Sequence, residues 1–335
     1  MLAPLIAVPL AAALSAGLIV RLRPLLVRYA LARPNARSSH TEPTPQGGGI
    51  AVVAATLAVT GLLLAAPDAG RDVLVLGLGA VVLALVGAVD DIRPLPASLR
   101  LVLQALVVAA LVASVDGRLV PTLPLAVERV LAVLAGIWFV NLVNFMDGLD
   151  WMTVAETVPV TGALILLGGS GALPPAAILV AAALLGAMLG FAPFNRPVAK
   201  LFLGDVGSLP LGLILAWLLY RLALAGGLAA AILLPLYYLA DATLTLIRRA
   251  ARREPVWQAH RSHFYQRATT NGIAVTGVVG RVLALNACLA ALAGATLFWP
   301  SPAITLGALA VGCGLVGSVL VRFARAPAKH GVTTS

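Results

Sequence analysis

Apolar stretches follow one another along almost the whole chain, each close to the length of a membrane-crossing helix. Such a helix needs about 20 mostly apolar residues. Only 11% of the 335 residues are charged, whereas a soluble domain has roughly 25%. We therefore predict an all-α, polytopic integral membrane protein, folded as one domain over residues 1–335. Eleven spans are predicted, at residues 2–20, 49–66, 72–89, 99–115, 125–143, 152–168, 175–192, 208–225, 227–247, 276–297 and 303–321.

The arginines predict which side of the membrane each loop faces, because cytoplasmic loops carry an excess of Lys and Arg. The apolar N-terminal stretch has no positive region before it, so it is predicted to be a retained span with its N-terminus outside. The C-terminus is then cytoplasmic. The loops predicted to face the cytoplasm, with most of the arginines, are 21–48, 90–98, 144–151, 193–207 and 248–275.

Composition excludes several other classes of protein. The net charge of +10 comes from arginines in short loops, which indicates membrane topology rather than nucleic-acid binding. Cys288 and Cys313 both lie in apolar stretches, so no disulfide framework or zinc site is indicated.

Polar residues that interrupt the apolar pattern collect on the predicted cytoplasmic side. Ionisable residues at membrane depth are costly and usually mark function. Carboxylate oxygens suit Mg²⁺, and arginine and histidine bind phosphate oxygens. The pattern therefore predicts a magnesium-dependent phosphoryl-transfer site at the membrane boundary. Its candidate residues are Asp90, Asp91, Asn144, Asp147, Asp150, Asp205, His260, Arg261, His263 and Arg267.

Each group also has a simpler interpretation when taken singly. Asp90 and Asp91 are equally consistent with ordinary loop charges. Asp205 before a span is also typical of a helix N-cap, and acids three residues apart can share a solvated helix face. For Glu156 and Asp241, the sequence leaves open a buried ion pair or a place in the site. The arginine runs are explained by topology alone.

Five motifs in order resemble one family. They are "SSHTEPTPQGGGI" (38–50), "VDDIRP" (89–94), "NLVNFMDGLD" (141–150), "FLGDVGS" (202–208) and "HRSHFYQR" (260–267). The chain resembles the polyprenyl-phosphate N-acetylhexosamine-1-phosphate transferase superfamily. The resemblance implies transfer of a sugar 1-phosphate from a UDP-sugar to a polyprenyl phosphate such as undecaprenyl phosphate, with release of UMP. It also implies a bacterial inner-membrane location with a cytoplasmic active site.

The resemblance implies a role for individual residues. Asp205 lies at the family's magnesium-binding aspartate, with Mn²⁺ as an alternative ion. Asp90 and Asp91 match the pair assigned to catalysis and to the acceptor phosphate. Asn144, Asp147 and Asp150 match the motif linked to the nucleotide and the active site. His263 matches a histidine of a cluster that contacts the sugar-nucleotide, and Arg261 is a further candidate there.

The sequence departs from the common family pattern at three places. Trp151 replaces a glycine, Gln46 stands where a basic residue is frequent, and the histidine cluster is sparse. The last motif most resembles a subgroup (WbpL-type) that initiates O-antigen or related surface polysaccharides, with N-acetylated deoxyhexosamines as donors. A polytopic transporter or lipid flippase is the alternative, although one-sided acids and the lack of a repeat argue against it. The oligomeric state is open, with a homodimer as one option.

Overall fold

The structure is a computed structural model that describes residues 2–32, 43–64, 70–255 and 260–325. Residues 38–42 of the first motif and the end of the predicted span 49–66 lie outside the described residues. Within the described ranges, the regular elements are helices apart from one short strand pair and an isolated bridge between Gln46 and Phe202. The described helices are α1 (Leu2–Tyr29), α2 (Gly49–Leu63), α3 (Arg71–Ile92), α4 (Ala97–Ser114), α5 (Leu125–Met146), α6 (Met152–Leu167), α7 (Pro175–Asn195), α8 (Asp205–Leu222), α9 (Leu228–Leu233), α10 (Leu236–Ala251), α11 (Phe264–Thr270), α12 (Val275–Phe298) and α13 (Pro302–Ala324).

Eight segments of the described chain are long and apolar enough to cross a membrane: α1, α3, α4, α5, α7, α12, α13 and the stretch from Asp205 to Leu233. The α2 and α6 helices are also apolar but shorter, with 15 and 16 residues. The polytopic helical architecture predicted from the sequence is therefore confirmed. Eleven spans and the sidedness of the termini remain predictions.

The predicted span 227–247 is not one continuous helix. The α8 helix leads through a π-helical segment (Ala223–Gly227), where Gly226 has φ 90°, into the six-residue α9. A break at Leu234 and Pro235 then separates α9 from α10. Proline has no N–H, and its ring clashes with the carbonyl of the preceding turn. The stretch is apolar on both sides of the break, so composition alone did not reveal it.

Glycines allow the helix ends that carry the polar residues to pack closely against each other. A Cβ on Gly87 of α3 would lie 2.2 Å from the Asp205 carbonyl oxygen, at the start of α8. A Cβ on Gly49 of α2 would lie 2.1 Å from the Cα of Gly207. A side chain at either position would therefore push two helices apart.

The segment before α2 is fixed to the segment before α8 by backbone hydrogen bonds. The strands β1 (Leu31–Ala32) and β2 (Thr44–Pro45) form an antiparallel pair. Phe202 N donates to the Pro45 carbonyl at 2.9 Å, and Gly48 N donates to the Phe202 carbonyl at 2.9 Å. The described part of the first motif thus lies directly beside the "FLGDVGS" motif.

Candidate active site

Asp205 and Asn144 meet where α8 begins and α5 ends. Asn144 Nδ2 donates to Asp205 Oδ1 at 2.7 Å and to the Ser208 hydroxyl at 2.8 Å. Ser208 lies one helical turn after Asp205, so Asn144 contacts the first turn of α8 at two points. This amide fixes the orientation of the Asp205 carboxylate.

Asp91 accepts hydrogen bonds from the start of the same helix. Its Oδ1 accepts from Asp205 N at 3.0 Å, and its Oδ2 accepts from Val206 N at 3.1 Å. The first N–H groups of a helix have no partner within the helix, and a carboxylate stabilises them. The sequence suggested Asp205 as a helix cap, but Asp91 supplies the capping carboxylate from another helix. A Cβ on Gly204 would lie 2.7 Å from Asp91 Oδ2, so glycine keeps this approach open.

Arg100 joins two of the predicted carboxylates and was missed by the sequence interpretation. Its Nη1 donates to Asp90 Oδ2 at 2.5 Å and lies 3.8 Å from Asp205 Oδ2. Asp90 Oδ1 also accepts from Leu95 N at 2.6 Å. Arg100 was assigned to the apolar span 99–115, although its position in the first turn after "VDDIRP" was a usable signal. The guanidinium is a natural neighbour for any phosphate that approaches Asp90.

Asp147 lies at the C-terminal end of α5 and is held by α6. The Thr153 hydroxyl donates to Asp147 Oδ1. Burial, opposed by the Thr153 hydrogen bond and reinforced by the charges of Asp91 and Asp150, raises the pKa of Asp147 to about 7. Asp147 thus lies close enough to Asp91 for the charge of that carboxylate to contribute to the raised pKa.

Asp150 lies at the boundary between this region and a cavity of about 750 Å³. Its side chain is buried, and Oδ2 accepts from Ala199 N at 2.9 Å. Arg23 and Lys200 contribute cationic side chains to the cavity lining, and Thr44 contributes a hydroxyl. The cavity therefore combines positive charge with hydrogen-bonding groups beside the Asp150 carboxylate.

Trp151 has a left-handed backbone conformation, with φ 62° and ψ 1°. Left-handed residues other than glycine are uncommon, which explains why a glycine is frequent at this position in the family. Trp151 N donates to Asn195 Oδ1 at 2.8 Å, and the indole N–H donates to the Ala192 carbonyl at 2.6 Å. These two contacts anchor the turn between α5 and α6 to the end of α7.

Asp241, whose role the sequence left open, organises the "HRSHFYQR" loop. Its Oδ1 lies 3.2 Å from His263 Nδ1 and accepts from Phe264 N at 3.0 Å. Its Oδ2 accepts from Tyr265 N at 3.0 Å. Asp241 and His263 are both buried. Asp241 is therefore a buried partner that sets the position of His263.

The same loop docks on the end of α5. The Tyr265 hydroxyl donates to the Phe145 carbonyl at 3.0 Å, and the His263 ring lies 6.5 Å from the Phe145 ring. A Cβ on Gly148 would lie 2.2 Å from the Tyr265 hydroxyl oxygen, so this docking requires glycine. His263 is thus placed beside Phe145, at the end of α5 that also carries Asn144 and Asp147.

The other cationic candidates of this loop differ in their contacts. The His260 ring stacks on His263 with ring centroids 4.9 Å apart. Arg261 is exposed. Arg267 donates to the Ala324 carbonyl at 3.3 Å and lies over the Phe264 ring. Arg267 therefore contacts the end of α13 rather than the carboxylates, and its predicted role in substrate binding stays a prediction.

The carboxylates suit a magnesium ion in their chemistry. No group of three or more His, Cys, Asp or Glu side chains arranged to hold a metal occurs in the described ranges. Mg²⁺ usually keeps several waters and takes one or two carboxylates together with substrate phosphates. Asp205, with Asp91 hydrogen-bonded to its backbone, offers such a partial set of hard oxygen donors.

Known proteins are similar in sequence to the part of this chain that contains the aspartate motifs. Residues 73–223 match the family model described as Glycosyl transferase family 4. This segment runs from α3 through α8 and contains all five aspartates of the site. The match ends before the His263 loop.

Curated relatives include transferases of three kinds. A Bacillus subtilis protein, a probable undecaprenyl-phosphate N-acetylglucosaminyl 1-phosphate transferase, is 27% identical over 73% of this chain and 71% of its own. A decaprenyl-phosphate N-acetylglucosaminephosphotransferase of Mycobacterium leprae is 33% identical over 56% of this chain and 53% of its own. A phospho-N-acetylmuramoyl-pentapeptide-transferase of M. leprae is 31% identical over 50% of each chain. The chain thus spans only about half the length of the last two.

The sequence comparisons do not use the site geometry. They match the same segment that brings the carboxylates together in the structure. Together they show that the part of the chain with the five aspartates is similar to the glycosyl transferase family 4 model and to polyprenyl-phosphate transferases of bacteria.

Proposed function

We propose that the protein transfers an N-acetylhexosamine 1-phosphate from a UDP-sugar to undecaprenyl phosphate and releases UMP. The observation that carries this proposal is the convergence of Asp90, Asp91 and Asp205 with Asn144 at neighbouring helix ends. Arg100 is the cation that pairs with these acids among the described residues. Such an excess of negative charge suits a divalent cation that accompanies a diphosphate.

The transfer joins two anionic substrates, so charge neutralisation and alignment are its main requirements. A bound Mg²⁺ ion, or Mn²⁺ in its place, would neutralise the diphosphate of the UDP-sugar. Asp205 is the proposed principal ligand, with Asp91 or Asp147 beside it. Asn144 holds the Asp205 carboxylate in a fixed orientation for this role.

The acceptor side of the reaction is assigned to Asp90 and Arg100. A phosphate monoester has a second pKa near 6, by analogy with phosphorylated side chains, so a strong base is scarcely needed. An oxygen of the lipid phosphate attacks the sugar-linked phosphorus, and the bond from that phosphorus to the UMP oxygen breaks. UMP leaves with the electron pair. Asp90 and Arg100 position the attacking phosphate, and a two-step route through an aspartate is the competing scheme.

The donor is assigned to the cavity beside Asp150 and to the docked loop. Arg23 and Lys200 in the cavity lining provide cationic groups for an anionic nucleotide. His263, held by Asp241, and the exposed Arg261 are the groups that we assign to the sugar-nucleotide from the loop. His260 stacks on His263 and supports its position.

The location follows from the acceptor, whose polyprenyl chain must remain in the bilayer. Arginine-rich loops on the side of the carboxylates support a cytoplasmic active site in a bacterial inner membrane. By resemblance to the surface-polysaccharide subgroup, we assign the product to the initiation of O-antigen or a related polysaccharide. An N-acetylated deoxyhexosamine is then the donor sugar to test first.

The direct test is UMP release by the purified full-length protein with undecaprenyl phosphate and Mg²⁺. The donors are UDP-N-acetylglucosamine, UDP-N-acetylgalactosamine and UDP-N-acetylated deoxyhexosamines. We expect lipid-dependent UMP release with at least one donor and none after chelation of the metal. UMP exchange into the donor without lipid would favour the two-step route. No release with any donor, together with movement of lipid across vesicles, would replace the transferase with a flippase.

A further inference from the structure

One buried side chain outside the carboxylate set contacts two separate segments of the candidate site. Asn195, the last residue of α7, is only 6% exposed. Its Oδ1 accepts from Trp151 N at 2.8 Å, directly after Asp150 in the sequence. Its Nδ2 donates to the Leu201 carbonyl at 3.0 Å, four residues before Asp205. A single amide group therefore joins the turn after α5 to the loop that leads into α8.

The turn after α5 needs a hydrogen-bond acceptor from elsewhere in the fold. Trp151 is the N-cap residue of α6, and its own side chain accepts no hydrogen bond from the helix. The first N–H groups of a helix have no partner within the helix, and buried N–H groups in proteins are nearly always satisfied. Asn195 supplies the acceptor for the Trp151 N–H and so ties the start of α6 to the end of α7.

The loop between α7 and α8 has little slack before the start of α8. Phe202, the residue after Leu201, donates its N–H to the Pro45 carbonyl and accepts from Gly48 N, both at 2.9 Å. The loop is thus held from α7 at one residue and from the segment before α2 at the next. A displacement at Leu201 would therefore be passed along the chain to Asp205, because the hydrogen-bonded residues between them cannot absorb it.

A second contact joins the same two segments, since Ala199 N donates to Asp150 Oδ2 at 2.9 Å. Asp150 also lines the cavity that is assigned to the donor, so its removal would change substrate contacts as well. Asn195 is not among the residues that line this cavity. It is therefore the joining group whose removal separates the two segments without removing a side chain assigned to either substrate.

We propose that Asn195 is a positioning residue for the transfer reaction, because it fixes the turn that carries Asp147 and Asp150 relative to Asp205. This inference rests on the proposed function and adds to it a residue that touches neither substrate. The two ends of the amide have different tasks. The oxygen holds the start of α6 through Trp151 N, and the nitrogen holds the approach to α8 through the Leu201 carbonyl.

The kinetic test measures UMP release by Asn195→Ala. Alanine removes both hydrogen bonds, so kcat should fall roughly tenfold or more, because small misplacements of reacting groups are expensive. The KM for undecaprenyl phosphate should stay within about twofold, because the acceptor is assigned to Asp90 and Arg100, which pair with each other. A role in stability alone would lower the unfolding midpoint and leave the kcat of the folded protein unchanged.

The aspartate variant tests the two hydrogen bonds and keeps the size of the side chain, so it remains informative if the alanine variant does not fold. In Asn195→Asp, a protonated carboxyl group can donate to the Leu201 carbonyl and accept from Trp151 N, as the amide does. The ionised carboxylate has no hydrogen to donate. The ratio of variant kcat to wild-type kcat should therefore be highest at low pH and fall as pH rises. A pH-independent ratio would overturn the proposal.

Asn271 provides the matched control. Its Nδ2 also donates to a backbone carbonyl, that of Phe323 at 2.9 Å, and this contact joins the end of α11 to the end of α13. Asn271→Ala should keep the wild-type kcat, and Asn271→Asp should show no pH-dependent ratio. Wild-type kcat in Asn195→Ala, or equal losses of kcat in the two alanine variants, would contradict a positioning role for Asn195.

Hydrogen exchange of the full chain provides a readout that does not depend on activity. In Asn195→Ala, backbone amides of residues 147–152 and 201–206 should exchange faster than in the wild type, because local opening becomes easier in both segments. Unchanged exchange in both segments would overturn the inference even in an active enzyme. If the wild-type protein releases no UMP with any donor, the proposed function fails and with it the role in transfer. The exchange rates would still decide whether Asn195 holds the two segments together.

Discussion

The helices α3 and α5 carry acidic residues at both ends, while α8 has an acid at the site end and Arg221 at the other, and the acids have different partners at the two ends. At the end distant from the candidate site, Glu128 accepts from Arg118 Nε at 2.8 Å and from Leu119 N at 2.6 Å. Asp72 lies 3.6 Å from Arg221 and accepts from the Trp217 indole at 3.1 Å. Each acid there has its own arginine within the chain.

At the end of the helices with the candidate site, the carboxylates outnumber the arginines that pair with them. Arg100 is shared between Asp90 and Asp205, while Asp91 and Asp147 accept from neutral backbone or hydroxyl donors. The same three helices therefore end in a neutralised set of ion pairs on one side and in an excess of negative charge on the other. The first arrangement is complete without a ligand, whereas the second has an excess of negative charge that a bound cation would neutralise.

The largest effect is expected from removing a carboxylate at the site end. Asp205→Asn should lower UMP release by about 10²-fold or more, the scale of losing a key electrostatic group in an active site. The chain should still insert and give a normal unfolding midpoint. Asp72→Asn makes the same chemical change at the other end of the bundle. It should lower the unfolding midpoint while transfer stays near normal, and retention of activity by Asp205→Asn at saturating Mg²⁺ would refute its assignment.

A smaller effect is expected from removing the cation that the site acids share. Arg100→Gln leaves Asp90 and Asp205 without their common partner, so the anionic acceptor should bind more weakly. We expect the KM for undecaprenyl phosphate to rise roughly tenfold, which corresponds to about 1.4 kcal/mol. Arg93→Gln removes an exposed arginine from the adjacent loop and serves as the control. Equal effects of the two variants would mean that Arg100 acts only through the overall charge of this face.

The smallest effect concerns the backbone of the turns at the two ends. Turns distant from the site place glycine in positive φ, as at Gly117 and Gly226, whereas the turn after Asp150 places Trp151 there. Trp151→Gly and Trp151→Ala both remove the indole and differ only in the cost of the left-handed backbone. The glycine variant should have the higher free energy of unfolding, by about 1 kcal/mol. Denaturant unfolding of the two proteins measures this difference, and equal stabilities would indicate a relaxed turn.

The sequence predicted the helices and the proximity of the acids for one physical reason. Spans of similar length bring their ends to similar depth, so acids at span ends on one side lie in the same layer at the membrane boundary. That reasoning placed Asp90, Asp91 and Asp205 in one region, and the structure brings them together with Asn144. Their catalytic roles and the magnesium ion remain predictions.

The sequence did not predict the contacts between helices. Arg100 looked like the edge of an apolar span, because only the fold shows that it lies between two aspartates. Asp241 could be assigned only after α10 and the α11 loop were seen together. The break at Pro235 falls in a stretch that is apolar on both sides, so hydropathy could not locate it.

Gly87 allows the start of α8 to lie directly against α3, with the Asp205 carbonyl at the position that a methyl group would occupy. In a saturation-mutagenesis screen for loss of transfer, Gly87 should therefore be as intolerant as the aspartates, even though it has no side chain and contacts no substrate. Such a screen would identify a residue as essential. It would not distinguish a residue that takes part in the reaction from one that allows two helices to pack closely. At Gly87, the requirement is for the empty space beside the Cα, which the start of α8 occupies.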